Sequence, residues 1–105
     1  VWIDNLAPIV IGANVCISQG AYFCTGNHDW TDPAFGLVVR SIRVEDGAWV
    51  GARALICPGV EIGECGVVTA GSLVTKHVPP YEIHAGNPAR FVRTRVIGDR
   101  QADSA

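Results

Sequence analysis

The sequence predicts an all-β solenoid, a parallel β-helix of about four triangular coils. Three observations carry this: an aliphatic residue at every sixth position, small residues at a fixed offset from it, and no helical or simple alternating period. From Val44 the frame runs Val44, Val50, Ile56, Ile62, Val68, Val74. Val and Ile make up 23 of the 105 residues, so six hits in one frame would arise by chance about once in ten thousand trials. Four residues after each hit stand Ala48, Ala54, Val60, Gly66, Ser72 and Val78, mostly small, and the residue after a hit is often glycine, as at Gly51 and Gly63. An earlier run repeats the frame at Ile11, Ile17 and Phe23.

A period of six fits a short strand followed by a tight corner, and neither a helix nor an alternating strand. Three such units close a triangular coil of 18 residues in which the aliphatic points inward, the small residue lets the chain bend and glycine takes backbone angles other residues avoid. Stacked coils pair as parallel strands, each needing a neighbour. Residues 18 apart then lie one above another, placing Ala52 on Ala70 and Cys57 on Thr75.

Element by element, the first ten residues sit two positions off the frame of Ile11, which predicts a small corner insertion. Phe23 and Val44 are 21 apart, not a multiple of six, so the register breaks between the runs. This gives coils over 1–28 and 42–79, with a loop leaving the prism over 29–41. Pro79 and Pro80 supply no ladder donors, so the prism is expected to end there. The tail over 80–105 is expected to run back as a short extended segment and to be disordered from about Gly98. The chain contains no methionine, so residues of a longer protein are expected before Val1.

Length allows one domain with a modest core, which predicts help from oligomerisation. A formal charge of -2 gives no electrostatic footprint for nucleic acid. Apolar runs fall far short of a membrane span and no signal segment opens the chain, which predicts a cytoplasmic address. Half of the eight basic residues, Arg90, Arg93, Arg95 and Arg100, cluster near the C-terminus, where they either meet an anionic ligand or form a solvated tail.

Cys16, Cys24, Cys57 and Cys65 form no C-x-x-C pair and have no histidine at metal-ligand spacing, so they read as small reduced core or corner residues, and no metal site is expected. His28 ends the first run where the frame breaks. A histidine in such a turn serves either as a base beside the loop or as a cap. His77, at the end of the prism, and His84, in the tail, read as structural, and Trp49 as a packing residue.

The stretches WIDNLAPIVIG, CISQGAYFCTGNHDW, EDGAWVGARALICPGVEIG, AGSLVTK and AGNPAR, in this order, cover most of residues 2–90. In them the chain resembles the hexapeptide-repeat acetyltransferases, in the branch of the galactoside and maltose O-acetyltransferases and the colanic acid biosynthesis acetyltransferase. The resemblance implies a left-handed parallel β-helix, an exception to the right-handed crossover rule. It further implies acetyl-coenzyme A as co-substrate, a homotrimer with active sites between neighbouring prisms, and polysaccharide biosynthesis as the setting.

Carried over residue by residue, the resemblance makes His28 the general base. Ala52, Ala70, Gly71, Thr75, Lys76 and Arg90 become coenzyme contacts, with Lys76 and Arg90 on its phosphates. Position in the sequence nominates the acceptor contacts: Asp4 and Asn5 lie in the out-of-phase first segment, and Trp30 and Phe35 on the loop, where their rings could stack on a sugar face. Two departures stand out: Ala52 replaces a serine of the sugar acetyltransferases, and a longer N-terminal portion is missing. The leading expectation is O-acetylation of a saccharide or nucleotide-sugar hydroxyl. The alternatives are N-acetylation of an amino sugar and a non-catalytic trimeric scaffold.

Overall fold

A computed structural model describes residues 1–98; the expected disorder of the C-terminal tail concerns residues 99–105 and lies outside them. The first coil holds β1 (Trp2–Asp4), β2 (Ile9–Ile11) and β3 (Cys16–Ile17). The second opens with β4 (Tyr22–Cys24), leaves the prism as a hairpin of β5 (Gly26–His28) and β6 (Leu37–Val39), and returns through β7 (Ile42–Val44) and β8 (Trp49–Val50). The third is β9 (Leu55–Ile56), β10 (Glu61–Ile62) and β11 (Val67–Val68). The fourth holds β12 (Leu73–Val74), a single bridge from Val78 to Ile62, and β13 (Glu82–Gly86), and β14 (Ala89–Thr94) closes the chain.

Strands of successive coils stack into three parallel faces. The first face is β1-β4-β9-β12, the second β2-β7-β10, and the third β3-β8-β11-β13, with β14 antiparallel at its edge. This is a left-handed parallel β-helix, as expected. Among the described residues no helix is long and apolar enough to cross a membrane.

The six aliphatics from Val44 to Val74 are buried, and Ala48, Ala54, Val60, Ser72 and Val78 are buried beside them. A left-handed residue recurs every six positions at the corners, at Gly47, Arg53, Gly59, Cys65 and Gly71. The glycines that follow an aliphatic serve a different end from the one expected. Gly51 is not left-handed; a Cβ there would stand 2.5 Å from the Ala70 backbone nitrogen. At Gly63 it would stand 2.6 Å from the Pro80 nitrogen. These glycines let one coil lie close upon the next.

Strand register shows where the frame breaks. Leu55 pairs with Leu73 at an offset of 18, whereas Tyr22 pairs with Leu55 at 33, so 15 residues are inserted. Arg40 N–H donates to the Thr25 carbonyl at 2.9 Å, closing the neck of the excursion. The excursion therefore begins at Gly26, three residues earlier than expected at 29, and His28 lies on the hairpin, off the prism corner. Trp2 pairs with Tyr22 at an offset of 20, the expected two-residue insertion. Buried Thr25 holds it, with its hydroxyl donating to the Asp4 carbonyl at 2.6 Å and accepting from Ala7 N–H at 3.1 Å.

The prism also runs past the double proline. Pro80 stacks on the Gly63 corner, where no ladder donor is needed, and β13 then pairs in parallel with β11. Only β14 runs back. Arg95 pins this end by donating to the Gly47 and Cys65 carbonyls at 2.9 and 3.3 Å.

Candidate active site

The hairpin tip is built by carboxylates that satisfy backbone donors, as short Asp side chains do in tight turns. Asp32 accepts from Ala34 and Gly36 N–H, while Asp29 N–H donates to the Gly36 carbonyl at 2.7 Å. The Thr31 hydroxyl, and after it the Thr31 N–H, holds the Asp29 carboxyl below the usual carboxylate range. Phe35, left-handed at φ 53°, is thereby fixed with its carbonyl 2.9 Å from His28 Nδ1.

That contact decides the proton. A carbonyl oxygen can only accept, so Nδ1 carries the hydrogen and the neutral ring presents the Nε2 lone pair. The ring is exposed and lines a groove of about 430 Å³ with Asn27, Asp29, Trp30, Arg40, Cys57 and Thr75. Asn27 supports it by accepting the His28 N–H on Oδ1 at 2.8 Å. Continuing along the same edge of the first face, a second groove is lined by Arg40, Pro58, Thr75, Lys76 and His77.

The six expected coenzyme contacts divide between the two edges of the first face. Thr75 and Lys76 lie on the His28 edge. Ala52 and Ala70 lie on the opposite edge, in an apolar groove walled by Trp49, whose Nε1–H donates to Ser18 Oγ at 2.9 Å. Gly71 N–H donates to the Ala52 carbonyl at 2.8 Å, and Gly71 takes φ 72° with open space around its Cα. Arg90 pairs with Ala85 on β14, on the outer edge of the third face, exposed. Among the described residues, no backbone acceptor takes the Ala52 N–H.

Of the acceptor candidates only Trp30 reaches the His28 groove. Asn5 lies in a hollow by Ile3, Leu6 and Ile11 at the open first coil, and Asp4 sits on the outer surface of the first face. Phe35 contributes its carbonyl, not its ring. Within one chain these do not form one acceptor site with His28. Arg40 and Asn27 escaped the sequence reading, because which hairpin residue returns over which coil depends on the length of the excursion; the repeat places Cys57 on Thr75, but its residue type reads only as a core or corner residue. His77 Nδ1 accepts the Glu61 N–H at 2.9 Å, and His84, stacked on Val68, meets Glu82 at 3.0 Å and the edge of Phe91. All four cysteines are free.

The outer surface of the first face carries the ladder Trp2, Tyr22, Leu55, Leu73, in register from coil to coil. The matching ladder of the second face is Val10, Arg43, Glu61, two of its three residues charged. The two groove-bearing edges thus flank an apolar wall.

Comparison with known proteins decides the family. The candidate colanic acid biosynthesis acetyltransferase WcaF of Escherichia coli K12 is 40% identical over 92 residues, which is 88% of this chain and 50% of that protein. Among solved structures, the hexapeptide-repeat acetyltransferase VCA0836 of Vibrio cholerae O1 biovar eltor, in complex with acetyl-coenzyme A, superposes with a TM-score of 0.85. It is 35% identical, covering 90% of this chain and 54% of that one. This chain belongs to the hexapeptide-repeat acetyltransferases. A galactoside acetyltransferase in complex with coenzyme A gives a TM-score of 0.84 at 33% identity, covering 95% of this chain and 50% of that one. No family model matches the chain. The chain spans about half the length of the curated relatives it matches.

Proposed function

We propose that this member of the hexapeptide-repeat acetyltransferases transfers an acetyl group from acetyl-coenzyme A to a hydroxyl of a saccharide or nucleotide-linked sugar, with His28 as general base. The observation that carries the reading is the His28 contact with the Phe35 carbonyl, which fixes the tautomer with Nε2 open to the groove. As Nε2 takes the hydroxyl proton, the ring becomes positive, and the same carbonyl at 2.9 Å stabilises it. The coenzyme supplies the acyl group already activated as a thioester; as its C–S bond breaks, the departing thiolate takes the proton from the His28 imidazolium, so the coenzyme leaves as the thiol and the base is restored. The Ala52 N–H, without a backbone acceptor, is the donor for the developing oxyanion. It needs no serine hydroxyl.

A trimer accounts for the divided contacts. If three prisms turn their first faces toward a common axis, the apolar ladder is covered. The His28 edge of each chain then meets the Ala52 edge of its neighbour, joining base and coenzyme groove between subunits. The acetyl-coenzyme A complex of the Vibrio relative supports the choice of donor.

The test is thiol release from acetyl-coenzyme A against a panel of sugars, sugar nucleotides and amino sugars, with the parent protein and His28→Ala. Turnover should fall roughly 10²- to 10⁴-fold in the variant, the scale for a lost acid-base group, with coenzyme affinity nearly unchanged. Retention of more than about half the turnover would refute the base assignment, and turnover of amino sugars alone would refute the hydroxyl.

A further inference from the structure

The two departures from the six-residue frame meet at one buried residue. The corner insertion follows β1, the hairpin follows β4, and these strands lie side by side, so both segments leave the prism at the same edge. Thr25 stands between them, fully buried. Its hydroxyl spans the insertion, donating to the Asp4 carbonyl at 2.6 Å and accepting from Ala7 N–H at 3.1 Å. Its backbone N–H also donates to the Asp4 carbonyl, at 3.2 Å, and its carbonyl accepts from Arg40 N–H where the hairpin returns. Leu6, inside the insertion, lies against the first residue of the hairpin: a Cβ on Gly26 would stand 2.7 Å from Leu6 Cδ1.

β5 and β6 form a two-stranded sheet of their own and pair with no strand of the prism. A lone hairpin is only marginally stable in water, so its angle to the prism is set at its root. That angle matters to the base. His28 lies three residues beyond Thr25, at the end of β5, yet the groove it faces is walled on the prism side by Cys57, Pro58 and Thr75. A tilt at the root would carry the imidazole across the groove without disturbing its contact with the Phe35 carbonyl, which lies within the hairpin.

We infer that Thr25 is a positioning residue for the base: its hydroxyl clamps the corner insertion to the root of the hairpin and so fixes where His28 Nε2 stands over the prism. A residue needed only to fill this space would be apolar, whereas the hydroxyl is used both as donor and as acceptor. Without it the Ala7 N–H loses its partner. The inference rests on the proposed acetyl transfer for its kinetic half, and its structural half is read separately.

The experiment compares the parent with Thr25→Val, Thr25→Ser and Leu6→Ala, with circular dichroism confirming the fold of each. Hydrogen exchange by nuclear magnetic resonance reads the clamp. In Thr25→Val the amides of Arg40 and Asp29 should exchange at least about tenfold faster, while Leu55 and Cys57 in the prism stay within about twofold of the parent. Leu6→Ala, an exposed position where folding is not at stake, should quicken the same hairpin amides. Thiol release from acetyl-coenzyme A, with methyl glucoside or uridine diphosphate glucose as acceptor, reads the consequence. Thr25→Val should lower kcat about 10- to 100-fold, the scale for a misplaced catalytic group, with KM for acetyl-coenzyme A within about twofold. Thr25→Ser, which keeps the hydroxyl, should restore most of both. Hairpin amides that exchange as in the parent, in Thr25→Val or, should that variant not fold, in Leu6→Ala, would overturn the clamp. Faster exchange with unchanged kcat, or a rise in KM matching the fall in kcat, would overturn the positioning role. A parent that turns over neither acceptor would instead tell against acetyl transfer to these sugars, and the exchange rates would still decide the clamp.

Discussion

Two glycines on neighbouring coils separate the two reasons a corner excludes side chains. A Cβ at Gly51 would meet the backbone of the next coil, 2.5 Å from Ala70 N, 2.7 Å from the Thr69 carbonyl carbon and 2.8 Å from the Val68 oxygen. None of these can rotate away, so Gly51→Ala must push β8 and β11, the second and third strands of its face, apart. Overpacking costs about 1–3 kcal/mol, and the unyielding backbone puts this case at the upper end. At Gly71 a Cβ would meet nothing within 4 Å, and the cost is only that of φ 72° for an L-residue, about 1–2 kcal/mol. For a domain of this size 1 kcal/mol moves Tm by about 4–8 °C, so Gly51→Ala should melt clearly below Gly71→Ala, which should melt clearly below the parent. The assay is thermal denaturation by circular dichroism at one fixed protein concentration, since assembly makes Tm concentration-dependent. A Gly71→Ala protein that melts as low as Gly51→Ala would refute the close-contact argument.

Light scattering on the parent should return a trimer. Leu73→Glu, which puts a charge in the apolar ladder of the first face, should shift it toward monomer, and an unchanged trimer would show that this face is not the interface. Acetyl-coenzyme A should bind in the micromolar range, weaken with added salt and greatly exceed acetyl-pantetheine; equal calorimetric affinities would rule out a phosphate grip by Lys76 and Arg90. Burial, reinforced by Cys24 alongside, pushes the Cys57 thiol above the usual range. Because only the thiolate reacts, alkylation of Cys57 should still be accelerating as pH rises past the ordinary thiol value. Mass spectrometry of a pH series that shows the Cys57 rate levelling off below about pH 8.5 would contradict this.

The prism was legible because its signal is repeated. Every coil restates the aliphatic column, so the frame from Val44 to Val74 survives any one substitution, and the offset of 18 follows from arithmetic. Breaks in the frame were legible as breaks but not in position. The count between Phe23 and Val44 shows that something is inserted, yet only the bond from Arg40 to Thr25 shows where the neck closes. The extent of the prism was misjudged because proline was weighed as a missing ladder donor, whereas Pro79 and Pro80 fall at a corner where none is used. Site residues followed the same division. Ala52 and Ala70 share a groove because the repeat stacks them, while the Phe35 carbonyl and the Arg40 side chain depend on the fold of one hairpin that occurs once and leaves no period.

The neck between Thr25 and Arg40 gives the hairpin an unusual independence from the rest of the chain. Since Tyr22 and Phe23 before it, and Ile42 and Val44 after it, stay in register with their own neighbours, the number of residues held between them is invisible to the core. Lengthening such a closed loop adds only about 0.6 kcal/mol of closure entropy for each doubling. The hairpin can therefore be exchanged like a tool head on a fixed handle: a different loop would bring a different neighbourhood to the base, while the aliphatic columns and the groove along Ala52 and Ala70 keep their shape.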